Sequence, residues 1–212
     1  MPPTLASTRY ERMDPTTARG RSNMPPGDSE ATRKRLIDAA IQEFSAYGIA
    51  GARVDRIAAA SKSNKAQIYH YFGSKDGLFD AAFDSLVVAA VEDAPIDPND
   101  LPEYAGRLFD GYEDHPEILR LATWYRLERG DSATPIEAVT KNIQDKLDAV
   151  ARAQEDGTLP RSVDPVVILG LVIHLAQIWS AASPEFAPFV PKLSRADRRT
   201  AVVDAVRRVL AF

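Results

Sequence analysis

The sequence predicts an all-α fold, with a small N-terminal head of three helices and a larger helical body, about nine helices in all. Three observations carry this. Apolar residues recur at helical spacing from Asp28 almost to the C-terminus, Gly and Pro punctuate the segment ends, and no stretch shows the alternation of a sheet. With 212 residues, 45% hydrophobic and 26% charged, the chain reads as an ordinary globular protein able to bury a sizeable core. It has no cysteine, which excludes disulfides, thiolate metal sites and thiol nucleophiles. Its three histidines, His70, His115 and His174, are far apart and show no metal-ligand spacing, so no metal or cofactor is expected.

Residues 1–28 are rich in Pro, Gly, Ser and Thr without an apolar period, and are expected to be a disordered tail. They contain no apolar run of signal-peptide length, and the expected location is cytoplasmic. The first helix carries Leu36, Ile37, Ala40, Ile41 and Phe44 on one stripe, with Gly48 as its stop. Short helices follow at 54–60 and 65–72, and Ser74 caps a longer one through Leu78, Phe79, Phe83 and Leu86 that closes before Pro95. The body continues with helices marked by Leu101–Tyr112, by His115-Pro116 through Trp124 to Gly130, and by Ile136–Val150 ending at Gly157. Asp164-Pro165 opens a helix from Val166 to Ala182 that is apolar almost all round. It is short for a membrane span and reads instead as buried on two sides, against its own body and against a second copy. A last helix at about 194–210 has an apolar side of Val202, Val203, Val206, Val209 and Leu210.

Charge is distributed unevenly. Residues 30–75 hold eight basic and four acidic groups, a local +4, while residues 76–212 hold 14 basic and 23 acidic groups within an overall −4. A polyanion-binding end on an acidic body fits this asymmetry. Helices 54–60 and 65–72, joined by Ser61-Lys62-Ser63-Asn64, have the dimensions of a helix-turn-helix. Val54, Ile57 and Ala58 turn toward the second helix, Asn64 can cap that helix, and Ile68 and Phe72 turn inward. This leaves Lys65, Ala66, Gln67, Tyr69, His70 and Tyr71 facing outward or sideways, a set suited to a helix whose N-terminal end enters the major groove.

The stretch from Val54 to Ala60, and then Lys65-Ala66-Gln67-Ile68-Tyr69-His70-Tyr71-Phe72-Gly73-Ser74-Lys75-Asp76-Gly77-Leu78, resembles the TetR family of bacterial transcriptional regulators. The likeness covers about residues 30–80; beyond it the resemblance is one of layout. It implies a DNA-binding domain at 29–75 and an effector-binding and dimerisation domain at 76–212. It also implies that Lys65, Ala66 and Gln67 face bases and that Tyr69, Tyr71 and Lys75 hold phosphates. Arg53 stands where members carry Thr or Ser, so it loses a side-chain cap and can meet a phosphate. In the turn, Lys62 stands where glycine is usual; a positive φ there costs about 1 kcal/mol, which a phosphate contact by Lys62 would offset. Core packing competes for Tyr69 and Tyr71, solvent for His70, and Arg33, Lys34 and Arg35 read as a solvated face.

The resemblance also implies a homodimer formed through 165–182 and 195–210, an operator of double-stranded DNA with pseudo-palindromic half-sites, and a small-molecule effector that releases a repressor from it. No membrane partner is implied. Candidate effector residues are Tyr104, Phe109, Tyr112, Trp124, Tyr125, His174 and Gln177. For His174 a core or interface role competes with ligand contact. Enzymatic readings find no support, since neither a nucleophile-elbow, a P-loop nor a dinucleotide fingerprint occurs. The alternative reading is a helical ligand-binding or protein-interaction module that no longer binds DNA specifically.

Overall fold

The computed structural model describes residues 26–130, 135–180 and 185–211, all of them in helices, turns or short connections. In chain order the helices are α1 (Pro26–Gly51), α2 (Val54–Ala60), α3 (Lys65–Phe72), α4 (Lys75–Asp93), α5 (Leu101–Asp114), α6 (Glu117–Arg129), α7 (Glu137–Glu155), α8 (Pro165–Ala176) and α9 (Arg195–Leu210). A 3-10 segment, Ala187–Lys192, leads into α9. The expected tail lies outside the described residues up to 25, and its last three residues already belong to α1. Among the described residues no helix is long and apolar enough to cross a membrane.

Caps explain most helix starts. Asn64 and Ser194 form reciprocal capping boxes with Gln67 and Asp197, and the side chains of Ser74, Asp100 and Asp164 accept first-turn amides of α4, α5 and α8. Each such cap contributes about 1 kcal/mol. Gly48 behaves as a stop in part: at φ +73° it breaks α1, and one further turn runs on to Gly51.

Two cores hold the chain. The first packs Leu36, Ala40 and Phe44 of α1 against Ile57, Ile68, Leu78, Phe79 and Ala82, and it takes in Leu121 of α6. The head core therefore runs beyond residue 75, into α4 and α6. The second core joins Tyr104, Ala105 and Phe109 of α5 to Val150, Ile168 and Val172, with Val202 and Val206 of α9. An ionic seam binds α5 to α9. Arg195 bridges Asp110 and Asp114, Arg198 pairs with Glu113 at 2.6 Å, and Arg199 pairs with Asp110 and Glu103. Gly106 permits this closeness, since a Cβ there would lie 2.8 Å from Arg199 Nη2 and 3.0 Å from Val203 Cγ2.

Two expectations change here. The helix predicted from Val166 to Ala182 ends at Ala176, and residues 177–180 form turns. The amides of Gln177 and Ile178 bond back three residues instead of four, and the Trp179 indole donates to the Arg198 carbonyl, drawing the chain toward α9. Residues 181 and 182 lie outside the described residues. The valine stripe of α9 is also spent largely within the chain, because Val202 and Val206 are buried in its own body core.

Candidate DNA-reading surface and ligand cavity

The head begins from a capping problem. Arg53 precedes α2 in extended conformation and offers no side-chain cap. Glu43, a buried residue of α1, supplies the acceptor: its Oε1 takes the Arg53 amide at 2.8 Å and Arg56 Nε at 2.7 Å. Burial pushes the Glu43 carboxyl up, but the bonds from Arg56 and from the Arg53 amide outweigh it and hold it below its ordinary value. Arg56 in turn lies over the Tyr47 ring at 4.2 Å. Sequence reasoning missed Glu43 because its partner amide lies ten residues on, across a chain reversal that no local motif marks.

Helix α2 ends in a two-bond motif, Ser63 N–H to Ala58 O at 2.9 Å and Lys62 N–H to Ala59 O at 3.2 Å, with Lys62 at φ +53°. This is the arrangement in which a left-handed residue, usually Gly, closes a helix. The expected positive φ at Lys62 is present, and its side chain is exposed. The Ser61 hydroxyl is buried and bonds back to Ile57 O, and Arg35 of α1 reaches Ser61 O at 3.4 Å. Arg33 lies over the Phe72 ring, so this basic face is partly engaged with the head.

On α3, Lys65, Ala66, Tyr69 and His70 are exposed and Gln67 is half-buried. Tyr69 keeps 49% of its surface open. Lys65 pairs with Asp55 at 2.7 Å, and that bond raises its pKa. Gln67 accepts from the Asn64 amide and donates its own amide to Asn64, so its side chain is shared between the cap and the exposed face. Tyr71 is more internal: it packs on the head core and its hydroxyl meets Ser29 at 3.1 Å. Lys75 Nζ donates to the carbonyls of Ala50 and Ala52 at 3.3 and 3.4 Å. Lys62, Lys65, Ala66, Gln67, Tyr69, His70 and Arg53 therefore stand at or near the outer face of the motif, while Tyr71 and Lys75 are drawn into it.

The candidate effector residues divide into three places. Tyr104 and Phe109 are fully buried in the body core. Tyr125 packs against Phe79 and Phe83 in the head core. The other four come together: Tyr112, Trp124, His174 and Gln177 line one cavity of about 790 Å³, walled also by Ser45, Leu119 and Arg126. Gln177 Nε2 donates to the Tyr112 hydroxyl at 3.4 Å, and the Trp124 indole donates to Ser45 O at 3.3 Å. His174 is exposed, with Nδ1 2.7 Å from Gly170 O, so within this chain it is not a core residue. Tyr112 also lines a second cavity of about 660 Å³, between α1, α4 and α5. Both volumes fall in the range of small-molecule pockets. The Tyr104 hydroxyl is buried with no hydrogen-bond partner among the described residues.

A helix-turn-helix head carried on a larger helical body is the architecture of a DNA-binding transcriptional regulator. Comparison with known proteins agrees. Residues 36–82 match the bacterial regulatory proteins of the tetR family, and residues 100–208 match the tetracyclin repressor-like C-terminal domain. The HTH-type transcriptional repressor SCO4008 of Streptomyces coelicolor is 37% identical over 163 residues, 76% of this chain and 84% of that protein. The crystal structure of the transcriptional regulator SCO4942, also from Streptomyces coelicolor, superposes with a TM-score of 0.75 at 40% identity, over 85% of this chain and 98% of that one. The fatty acid degradation regulator FadR from Bacillus halodurans shares the fold, with a TM-score of 0.62 at 20% identity over 84% and 96% of the two chains. The chain belongs to the TetR family of transcriptional regulators.

Proposed function

We propose that the chain is a cytoplasmic homodimeric repressor whose two α3 helices read the half-sites of a pseudo-palindromic operator, and that a small molecule in the 790 Å³ cavity releases it. The observation that carries the effector reading is the meeting of Tyr112, Trp124, His174 and Gln177, from α5, α6 and the end of α8, around one space whose wall includes α1 of the head. An occupant there touches body and head together. The lining is mixed: beside Leu119, Ala122 and Trp124 it carries Glu113, Arg120, Arg126, His174 and Gln177, so a molecule with an apolar part and several polar or charged groups suits it.

Support for the dimer comes from apolar side chains left open on one chain. Val166, Val167, Leu171 and Ile178 along and just beyond α8, with Phe186, Phe189 and Leu193 nearby, are all more than a third exposed. A two-fold contact through this face would set the α3 helices one DNA turn apart, about 34–36 Å, or a multiple of it. In this reading Lys65, Ala66 and Gln67 meet bases, and Arg53, Lys62, Tyr69 and His70 meet backbone or groove edges.

The test has two arms. Genomic selection of bound duplex yields the operator, on which Gln67→Ala relaxes preference at one base pair per half-site by about 1–3 kcal/mol. Gln67→Ala with unchanged sequence preference removes it from the base readers. Titration of amphipathic small molecules then follows tryptophan fluorescence and DNA release together, in the parent and in His174→Leu. Loss of effector response in a variant that still folds, dimerises and binds DNA supports the cavity; an unchanged response removes His174 from the site.

A further inference from the structure

We propose that Glu128 is a positioning residue for DNA reading, whose carboxylate clamps the 49–51 turn to α6 and so sets the angle at which the head is presented to the two half-sites. This goes beyond the effector reading, and it rests on the proposed reading of two α3 helices on a two-half-site operator.

The geometry starts at the break in α1. With Gly48 at φ +73° and ψ 179°, helical bonding is interrupted and a new turn begins. The first amides of that turn have no partners in the helix behind them. Glu128, in the last turn of α6, takes both: Ile49 N–H donates to Oε1 at 3.1 Å and Ala50 N–H to Oε2 at 2.6 Å. A Cβ at residue 48 would lie 2.3 Å from Glu128 Oε1 and 2.9 Å from Trp124 Cε3, so only glycine lets α6 come this near.

The other end of the turn carries opposite charge. Lys75 Nζ, at the start of α4, donates to the carbonyls of Ala50 and Ala52, and Arg56 of α2 donates to Gly51 O at 3.2 Å. A carboxylate on the amide end and two cations on the carbonyl end match the dipole of the turn. One short segment thus gathers α1, α2, α4 and α6. Two further ties hold α6 to the head: the Trp124 indole on Ser45 O, and Arg129 on Asp80 of α4 at 2.5 Å. Trp124 and Glu128, four residues apart, share one face of α6, so a shift of α6 at Trp124 carries the clamp with it.

The clamp is distinguishable from a general structural contact, because it governs the relation between heads and not the reading surface itself. The experiment uses the full-length dimer, the selected operator duplex, a duplex with a single half-site, and operators with the half-site separation changed by one base pair. In Glu128→Ala, affinity for the full operator falls about tenfold, as expected if the released head holds the orientation that fits both half-sites only about one tenth of the time. Affinity for the single half-site stays within about twofold, and the preference for native spacing flattens. Glu128→Gln, which keeps one acceptor oxygen, falls between the two and serves as the test if the alanine variant does not fold. Hydrogen exchange at the Ile49 and Ala50 amides accelerates in both variants. Equal losses on the full operator and the half-site, or unchanged binding to both, overturn the proposal.

Discussion

Replacing Lys62 with glycine separates the strain of the helix-turn-helix turn from its contribution to DNA affinity, because the two effects have opposite signs. Lys62 sits at φ +53° and closes α2 through two backbone bonds that glycine also makes. A non-glycine residue in the left-handed region costs about 1–2 kcal/mol. Glycine adds back about 0.5–1 kcal/mol through the greater freedom of the unfolded chain. The net expectation is a gain of about 0.5–1 kcal/mol, a rise in Tm of about 1–4 °C for a chain of this size. The Lys62 side chain is exposed and makes no ion pair among the described residues, so no lost internal contact offsets this gain. Operator binding moves the other way. If each Lys62 neutralises one phosphate, the slope of log K against log salt falls by about 0.9 per subunit, about 1.8 for a dimer. Thermal unfolding and a salt titration of operator affinity on the same preparation give both quantities. A lower Tm would refute the strain argument. An unchanged salt slope would refute the phosphate contact and leave Lys62 with no role that offsets its backbone cost.

Two further expectations follow from buried polar groups. Tyr104→Phe removes a buried hydroxyl that has no hydrogen-bond partner among the described residues, so thermal unfolding is expected to show a stability unchanged or raised by up to about 1 kcal/mol; a clear loss would reveal a partner for the hydroxyl. Burial also raises the pKa of Tyr104, so the group stays neutral at physiological pH. Glu43, whose folded pKa lies below its ordinary value, contributes stability that is fully present above the unfolded carboxylate pKa, about 4.3, and is lost as pH falls through the folded value. Denaturant unfolding between pH 3 and 6 is expected to show a shallower acid-side slope in Glu43→Gln than in the parent, and an identical slope would contradict the capping role.

The family, the helical class and the outward residues of α3 were legible in the sequence because each is a short-range property. Helical periodicity, Ser, Asp and Asn at helix starts, glycine at stops and the spacing of the two motif helices all act within one or two turns of chain. The positive φ at Lys62 is expected from the family resemblance, which places glycine at that turn position. What only the tertiary structure decided are the pairings across helices. The amide left uncapped at Arg53 finds Glu43 ten residues back, and those of Ile49 and Ala50 find Glu128 nearly eighty residues on. Lys75, which the resemblance places at a phosphate, donates to the carbonyls of Ala50 and Ala52 at the end of α1. Of seven candidate effector residues, four meet at one cavity, while Tyr104 and Phe109 go to the body core and Tyr125 to the head. An aromatic side chain on an amphipathic helix carries the same sequence signal whether it fills a core or lines a space. The choice is made by which helix packs opposite it, and the periodicity of a single helix holds no record of its neighbour.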